Sequence, residues 1–248
     1  MALRDELIKQ GDFLFRRRTY VPLVIVPMLL EALREGGALA SVANGRAFPY
    51  WKLMCIAVAL LGLAIRSLVG GHVPAFTSGR SNEEQLAASL NTTGMYSIVR
   101  HPLYLGNFLC MLAITLAVQV WWFVVICCLA FWLYYERVIL VEEQFLGQRF
   151  GEAFERWAST TPCFLPRLTG WRRPPLPFCW KTALRREFSS FFLLVASFEL
   201  VTILGDGLST HKWLLDTSTR LVLLLSFPAY AVLAVLKKKT RVFYVKGR

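Results

Sequence analysis

Charge is scarce in this sequence. Asp, Glu, Lys and Arg make up 18% of its 248 residues, against about 25% in soluble domains. From Pro102 to Tyr135 there is no charged residue over 34 positions. With 56% hydrophobic residues the chain lacks the polar surface of a soluble globular domain, and the same content excludes disorder. Also missing is any CxxC pair among Cys55, Cys110, Cys127, Cys128, Cys163 and Cys179. Four of these lie inside apolar runs, so they read as small apolar side chains, and neither a disulfide framework nor a metal site is expected. Gly205-Asp206-Gly207 is the only GxG and no strand precedes it, which excludes a Rossmann-type cofactor loop. The opening stretch MALRDELIKQGDFLFRRRTY has no cleavable signal pattern, so the first apolar run is expected to be a permanent anchor.

What is present is a set of apolar runs. They predict an all-α, polytopic integral membrane protein with about six transmembrane helices, near 20–33, 51–69, 188–204 and 213–236, plus two in 102–135. That 34-residue run would be about 50 Å long as one helix, against a hydrocarbon core of about 30 Å. It must fold back, and Val118-Gln119-Val120 is the expected turn, with Trp121 and Trp122 at the far interface. Net charge is +12, and 22 of the 28 Lys and Arg residues fall in 1–18, 67–102, 137–186 and 237–248. This bias predicts that both termini and the two long loops are cytoplasmic. The basic residues alternate with apolar spans instead of forming a face, so nucleic-acid binding is not expected. Arg66, near a span end, reads as a snorkelling side chain. The proline-rich stretch Pro162–Pro177 marks a break before the last two spans.

Two polar clusters flank the apolar hairpin and must meet on one membrane face. One is Gly94-Met95-Tyr96-Ser97-Ile98-Val99-Arg100-His101-Pro102-Leu103-Tyr104-Leu105-Gly106; the other is Glu136-Arg137 with Glu142-Glu143. Pro102 suits the first turn of a helix, which leaves Arg100 and His101 beside free backbone N–H groups at a positive helix end. Glu142 and Glu143 can hold an ammonium group or a ribose diol from the other side. The product is a pocket for a ligand carrying both charge signs. Gln144–Trp157 reads as an amphipathic interfacial segment and lid, with Phe145, Leu146 and Phe150 toward the membrane.

These residues resemble the signature of the isoprenylcysteine carboxyl methyltransferase and phospholipid methyltransferase superfamily. The family pattern G-x-Y-x-x-x-R-H-P-x-Y-x-G, an apolar hairpin, then E-E-x-x-L-x-x-x-F-G-x-x-[YF], is matched at Gly94, Tyr96, Arg100, His101, Pro102, Tyr104, Gly106, Glu142, Glu143, Leu146, Phe150, Gly151 and Phe154. Gly62 and Arg66 resemble the family's second span. The resemblance covers about residues 55–166 and implies a membrane-embedded enzyme using S-adenosylmethionine through a cytoplasmic-side pocket. Its cofactor contacts would fall on Leu90, Asn91, Tyr96, His101, Pro102, Leu103, Tyr104, Glu142 and Glu143, with Arg100 and Arg137 as catalytic, acceptor-orienting residues. The implied organisation is an N-terminal segment over 1–50, a methyltransferase core over 51–166, and a linker with a two-span hairpin over 167–248.

The expected acceptor is an anionic oxygen, phosphate or carboxylate, on a lipid or lipidated molecule in the bilayer, with no obligate protein partner. Thr77-Ser78-Gly79-Arg80 and the run from Leu90 to Ser97 resemble a bacterial branch that methylates lipid A phosphate, which implies an inner-membrane location. The alternatives are a phospholipid amine N-methyltransferase, an NADPH-dependent oxidoreductase resembling sterol reductases, and a non-catalytic membrane protein that keeps the fold.

Overall fold

The computed structural model describes residues 3–17, 21–42, 48–74, 88–211, 213, 215, 217–245 and 247. Thr77, Ser78, Gly79 and Arg80 lie outside the described residues. Among those described there is no strand, and eight α-helices run in order: α1 Leu3–Arg16, α2 Val26–Val42, α3 Phe48–His72, α4 Pro102–Ala117, α5 Trp121–Phe150, α6 Glu152–Thr160, α7 Trp180–Thr210 and α8 Thr217–Lys239.

Among the described residues four segments are long and apolar enough to cross a membrane: Tyr50–His72, Trp121–Phe150, Trp180–Leu208 and Thr217–Lys239. Their outward residues, among them Leu60, Leu129, Leu193, Leu224 and Phe227, are exposed. Such a surface is costly in water and natural in lipid, so the protein is integral to the membrane. The count of six is not reached on length and composition. Helix α4 has 16 residues, about 24 Å against a core of about 30 Å. The first expected span is a 3-10 turn, Val21–Ile25, running into α2, whose 17 residues fall short of a crossing by length alone. At the far turn Glu35 of that helix accepts from Trp122 Nε1.

The apolar hairpin turns where its length requires. Val118 closes α4, Gln119 takes a left-handed φ of 62°, and Val120 caps α5. Around this turn Ala32, Leu33, Phe123, Cys127 and Val201 form a buried core joining α2, α5 and α7. Trp51 Nε1 donates to the Leu116 carbonyl and Trp122 Nε1 to Glu35, fixing the far end of the bundle. At the near end Cys179 N donates to the Gly71 carbonyl and the His72 ring meets Phe178.

Helices α3 and α4 touch backbone to backbone. A Cβ on Gly62 would lie 2.7 Å from the Gly106 carbonyl, and one on Gly106 only 2.6 Å from Arg66 Cγ. Both positions need glycine because the approach leaves no room for a side chain.

Helix α5 has 30 residues, about 45 Å, so its last turns overshoot the bilayer and carry Glu142 and Glu143 to the membrane surface. Gln144–Trp157 is not one helix, as the sequence pattern alone implies. Gly151, at φ +50°, ends α5 and starts α6 in a new direction. Phe154 and Trp157 of α6 are buried, while Phe145, Leu146 and Phe150 are half-buried on α5.

Candidate active site

The segment before α4 is built on backbone bonds. A 3-10 turn at Gly94–Ser97 leads to Ile98 and Val99, which are buried with Leu105. Arg100 N donates to the Pro162 carbonyl at 2.9 Å, and Trp157 Nε1 to the Tyr96 carbonyl at 2.9 Å. His101 sits at the N-cap of α4 with Pro102 in the first turn. Its ring is thereby aimed at the end of α5.

There it meets both carboxylates. His101 Nε2 lies 3.0 Å from Glu143 Oε1, and Nδ1 lies 3.5 Å from Glu142 Oε2. Arg100 reaches the same Glu143 oxygen at 2.9 Å. Tyr104 stacks on the His101 ring and donates its hydroxyl to Glu142 at 2.8 Å. An imidazole facing a carboxylate at each nitrogen satisfies both only when doubly protonated. Burial disfavours that charge, but the bonds to Glu142 and Glu143 outweigh it and hold His101 at about 9, above its ordinary 6.5. The Tyr96 phenol is raised by burial first and by the Glu142 charge second, with Arg186 opposing. Two positive and two negative groups therefore balance at the mouth of the hairpin.

The structure thus brings together Tyr96, Arg100, His101, Tyr104, Glu142 and Glu143. Pro102 is buried and Leu103 half-buried at the start of α4; Leu90 and Asn91 are half-buried in the approach segment. Arg137 is not brought to the cluster. It lies five residues before Glu142, which turns it to another face of α5. There its Nε donates to Gln10 of α1 at 2.9 Å and its terminal nitrogen to the Leu133 carbonyl at 2.6 Å.

A second polar knot lies deeper. Arg66 Nε donates to Glu187 at 2.8 Å, one terminal nitrogen donates to Ser190 at 3.0 Å, and the other bonds Asn107 Oδ1. Asn107 in turn donates to the Tyr135 hydroxyl at 2.9 Å, and the Tyr135 ring packs on Tyr104. Arg66 therefore does not snorkel outward; the missing side chain of Gly106 lets it reach inward past α4. Sequence reasoning missed Glu187, Asn107, Ser190 and Tyr135. A carboxylate at the head of an apolar run was the available signal, because a charge at membrane depth needs a partner.

Cys163 was also missed. Its Sγ is 4.0 Å from Glu143 Oε1, and burial, then the Glu143 charge, push the thiol pKa up against the pull of Arg100. With His101 Nε2 and Glu143 it forms a trio whose donor atoms lie within 4.8 Å of one another. A cation there would have to expel the imidazolium proton and compete with Arg100 for Glu143, so the trio reads as part of the charge-balanced cluster.

The profile of the phospholipid methyltransferase family matches residues 74–153, which contain this cluster. The chain is 32% identical over 162 residues to the Cobalt-zinc-cadmium resistance protein CzcN of Cupriavidus metallidurans, covering 65% of this chain and 69% of that one. The chain belongs to the isoprenylcysteine carboxyl methyltransferase and phospholipid methyltransferase superfamily. It is also 32% identical over 162 residues to the Nickel-cobalt-cadmium resistance protein NccN of Alcaligenes xylosoxydans xylosoxydans, over 65% of this chain and 70% of that protein. To the Protein-S-isoprenylcysteine O-methyltransferase of Schizosaccharomyces pombe it is 27% identical over 158 residues, covering 58% and 66%. No solved structure matches it. The family match spans the residues that carry the cluster.

S-adenosylmethionine carries an ammonium group, a carboxylate and a sulfonium. Two features of the cluster fit such a ligand. Arg100 Nε is buried without a partner among the described residues, a spare donor suited to a carboxylate. The Glu142 side chain is 36% exposed and can accept from an ammonium group.

Proposed function

We propose that the protein transfers a methyl group from S-adenosylmethionine to an anionic oxygen, phosphate or carboxylate, of a lipid or lipidated acceptor at the membrane surface. The observation that carries this reading is the Arg100–His101–Glu142–Glu143 cluster, placed where α5 leaves the bilayer. Arg100, Tyr96, the first turn of α4 and the two glutamates would hold the cofactor, which supplies an electrophilic methyl group when bound. The protein's own task is alignment and exclusion of water.

The charge state of the cluster favours an anionic acceptor. A phosphate or carboxylate is already ionised at neutral pH and needs no base. An amine would have to lose a proton, yet His101 is an imidazolium, Glu143 is held by both His101 and Arg100, and Glu142 by Tyr104 and His101. An acyl or prenyl tail has an apolar route to the cluster along Phe108, Phe131, Trp132 and Phe164, which pack edge to face beside Tyr135. A lipid A phosphate is the narrower form of the proposal, supported by the resemblance of the run from Leu90 to Ser97. The charge bias of the loops supports a bacterial inner-membrane protein with cytoplasmic termini and a pocket opening to the same side.

Mass spectrometry of membrane lipids from cells with and without the gene tests this reading. The expected result is one added methylene on a phosphate- or carboxylate-bearing lipid. Methylation confined to the nitrogen of phosphatidylethanolamine would overturn the acceptor class and leave the methyltransferase assignment intact.

A further inference from the structure

The segment after α6, residues 161–172, is stitched to the loop before α4 from both sides. Arg167 N donates to the Ile98 carbonyl at 2.9 Å, Arg172 N to Ser97 Oγ at 2.9 Å, and Gly94 N to the Arg172 carbonyl at 2.8 Å. Between segment and loop is a cleft of about 250 Å³, lined by Thr160, Thr161, Arg167, Thr169, Trp171 and Arg172 together with Ser97 and Trp157. Among the described residues no carboxylate lines it. Neither the Arg167 nor the Arg172 guanidinium forms an ion pair with a described residue. Two guanidiniums that no described carboxylate pairs, with several hydroxyls around one cleft, suit a phosphate, which accepts bidentate bonds from arginine and further bonds from O–H donors.

The surroundings say where that phosphate comes from. Leu165 and Leu168, on the same segment, are 78% and 75% exposed, and Trp171 is half exposed. Trp171 lines the cleft, and Leu165 and Leu168 lie close to its lining residues Arg167 and Thr169 in the chain. A polar, cationic cleft on a segment that also exposes Leu and Trp suits headgroup depth. We propose that this cleft binds the phosphate of an anionic membrane lipid, at a site separate from the His101 cluster and independent of methyl transfer.

The test uses the purified full-length protein in neutral detergent, titrated with phosphatidic acid, phosphatidylcholine or inorganic phosphate. Binding is read by native mass spectrometry and by tryptophan fluorescence. The wild type should retain phosphatidic acid about tenfold or more tighter than phosphatidylcholine, and tighter than inorganic phosphate at equal concentration. Arg167→Gln with Arg172→Gln should remove that preference, whereas Glu143→Ala, which disables the methyl-transfer cluster, should leave it intact. Equal retention of the two lipids by the wild type would overturn the proposal without any variant. So would an undiminished preference in the double variant, and displacement by inorganic phosphate at comparable concentration would overturn the lipid source. Because Glu143→Ala separates the two sites, failure here is distinguishable from failure of the methyltransferase reading.

Discussion

Two charged knots meet on α4 and differ in what they leave unspent. Around Arg66, the guanidinium is bonded on all three nitrogens by Glu187, Asn107 and Ser190, at membrane depth. Around His101, four charges balance, yet Arg100 Nε has no partner among the described residues and Glu142 remains open to solvent. A group of helices closing on itself satisfies every buried donor, because an orphan costs about 1–3 kcal/mol. A site that awaits a ligand keeps donors in reserve. The deeper knot ties α3, α4 and α7 together, and the shallower one is the centre at which we propose that the cofactor binds. Asn107 bonds the Tyr135 hydroxyl and the Tyr135 ring packs on Tyr104, so the two knots touch through one aromatic contact.

The largest effect is expected at the shallow knot. Glu143→Ala leaves a guanidinium and an imidazolium without their shared counter-ion, and S-adenosylmethionine affinity should fall on the order of 100-fold or more. Calorimetry on the purified protein measures this, with far-ultraviolet circular dichroism confirming unchanged helix content. The deep knot should behave in the opposite way. Glu187→Leu should cost about 3–4 kcal/mol of stability by stranding Arg66, and Arg66→Met with Glu187→Leu should recover more than half of it. Thermal unfolding in detergent reports the loss and recovery, while cofactor affinity of the double variant stays within about threefold of wild type. If that affinity collapsed instead, the deep knot would be part of the site.

Smaller effects sharpen the boundary between the knots. Tyr104→Phe removes one bond to an ionised carboxylate, about 1.5 kcal/mol, and should weaken cofactor binding about tenfold. The smallest effect below pH 8 comes from titration. The folded pKa of His101 is raised from 6.5 to about 9. Its charge therefore contributes fully below the ordinary value, and the contribution is lost as pH rises through about 9. Cofactor binding should be nearly flat from pH 6 to 8 and decline across pH 9. A decline centred near 6.5 would mean that the two carboxylates do not hold the proton.

Much of this was legible in the sequence. An uncharged run too long for one helix forces a hairpin, and a hairpin brings His101 to Glu142 and Glu143. Pro102 marks the start of α4, and the motif around it carries the superfamily. Two kinds of feature were not legible. Arg66 reads as a snorkelling side chain until the contact between Gly62 and Gly106 shows the path it takes inward, a fact of helix packing that no local pattern encodes. Arg137 lies near the glutamates in sequence, but helix phase turns it toward Gln10. The lid also splits at Gly151, because one residue with positive φ redirects the chain.

The role proposed for the His101 cluster is methyl transfer to a lipid oxygen. Its most direct test is transfer of a tritiated methyl group from S-adenosylmethionine to a membrane-lipid extract by purified wild type and Glu143→Ala in parallel. Label on a phosphate or carboxylate oxygen of a lipid with wild type, and none with Glu143→Ala, is the predicted result. Undiminished transfer by folded Glu143→Ala, or no label in any lipid with wild type, would contradict it.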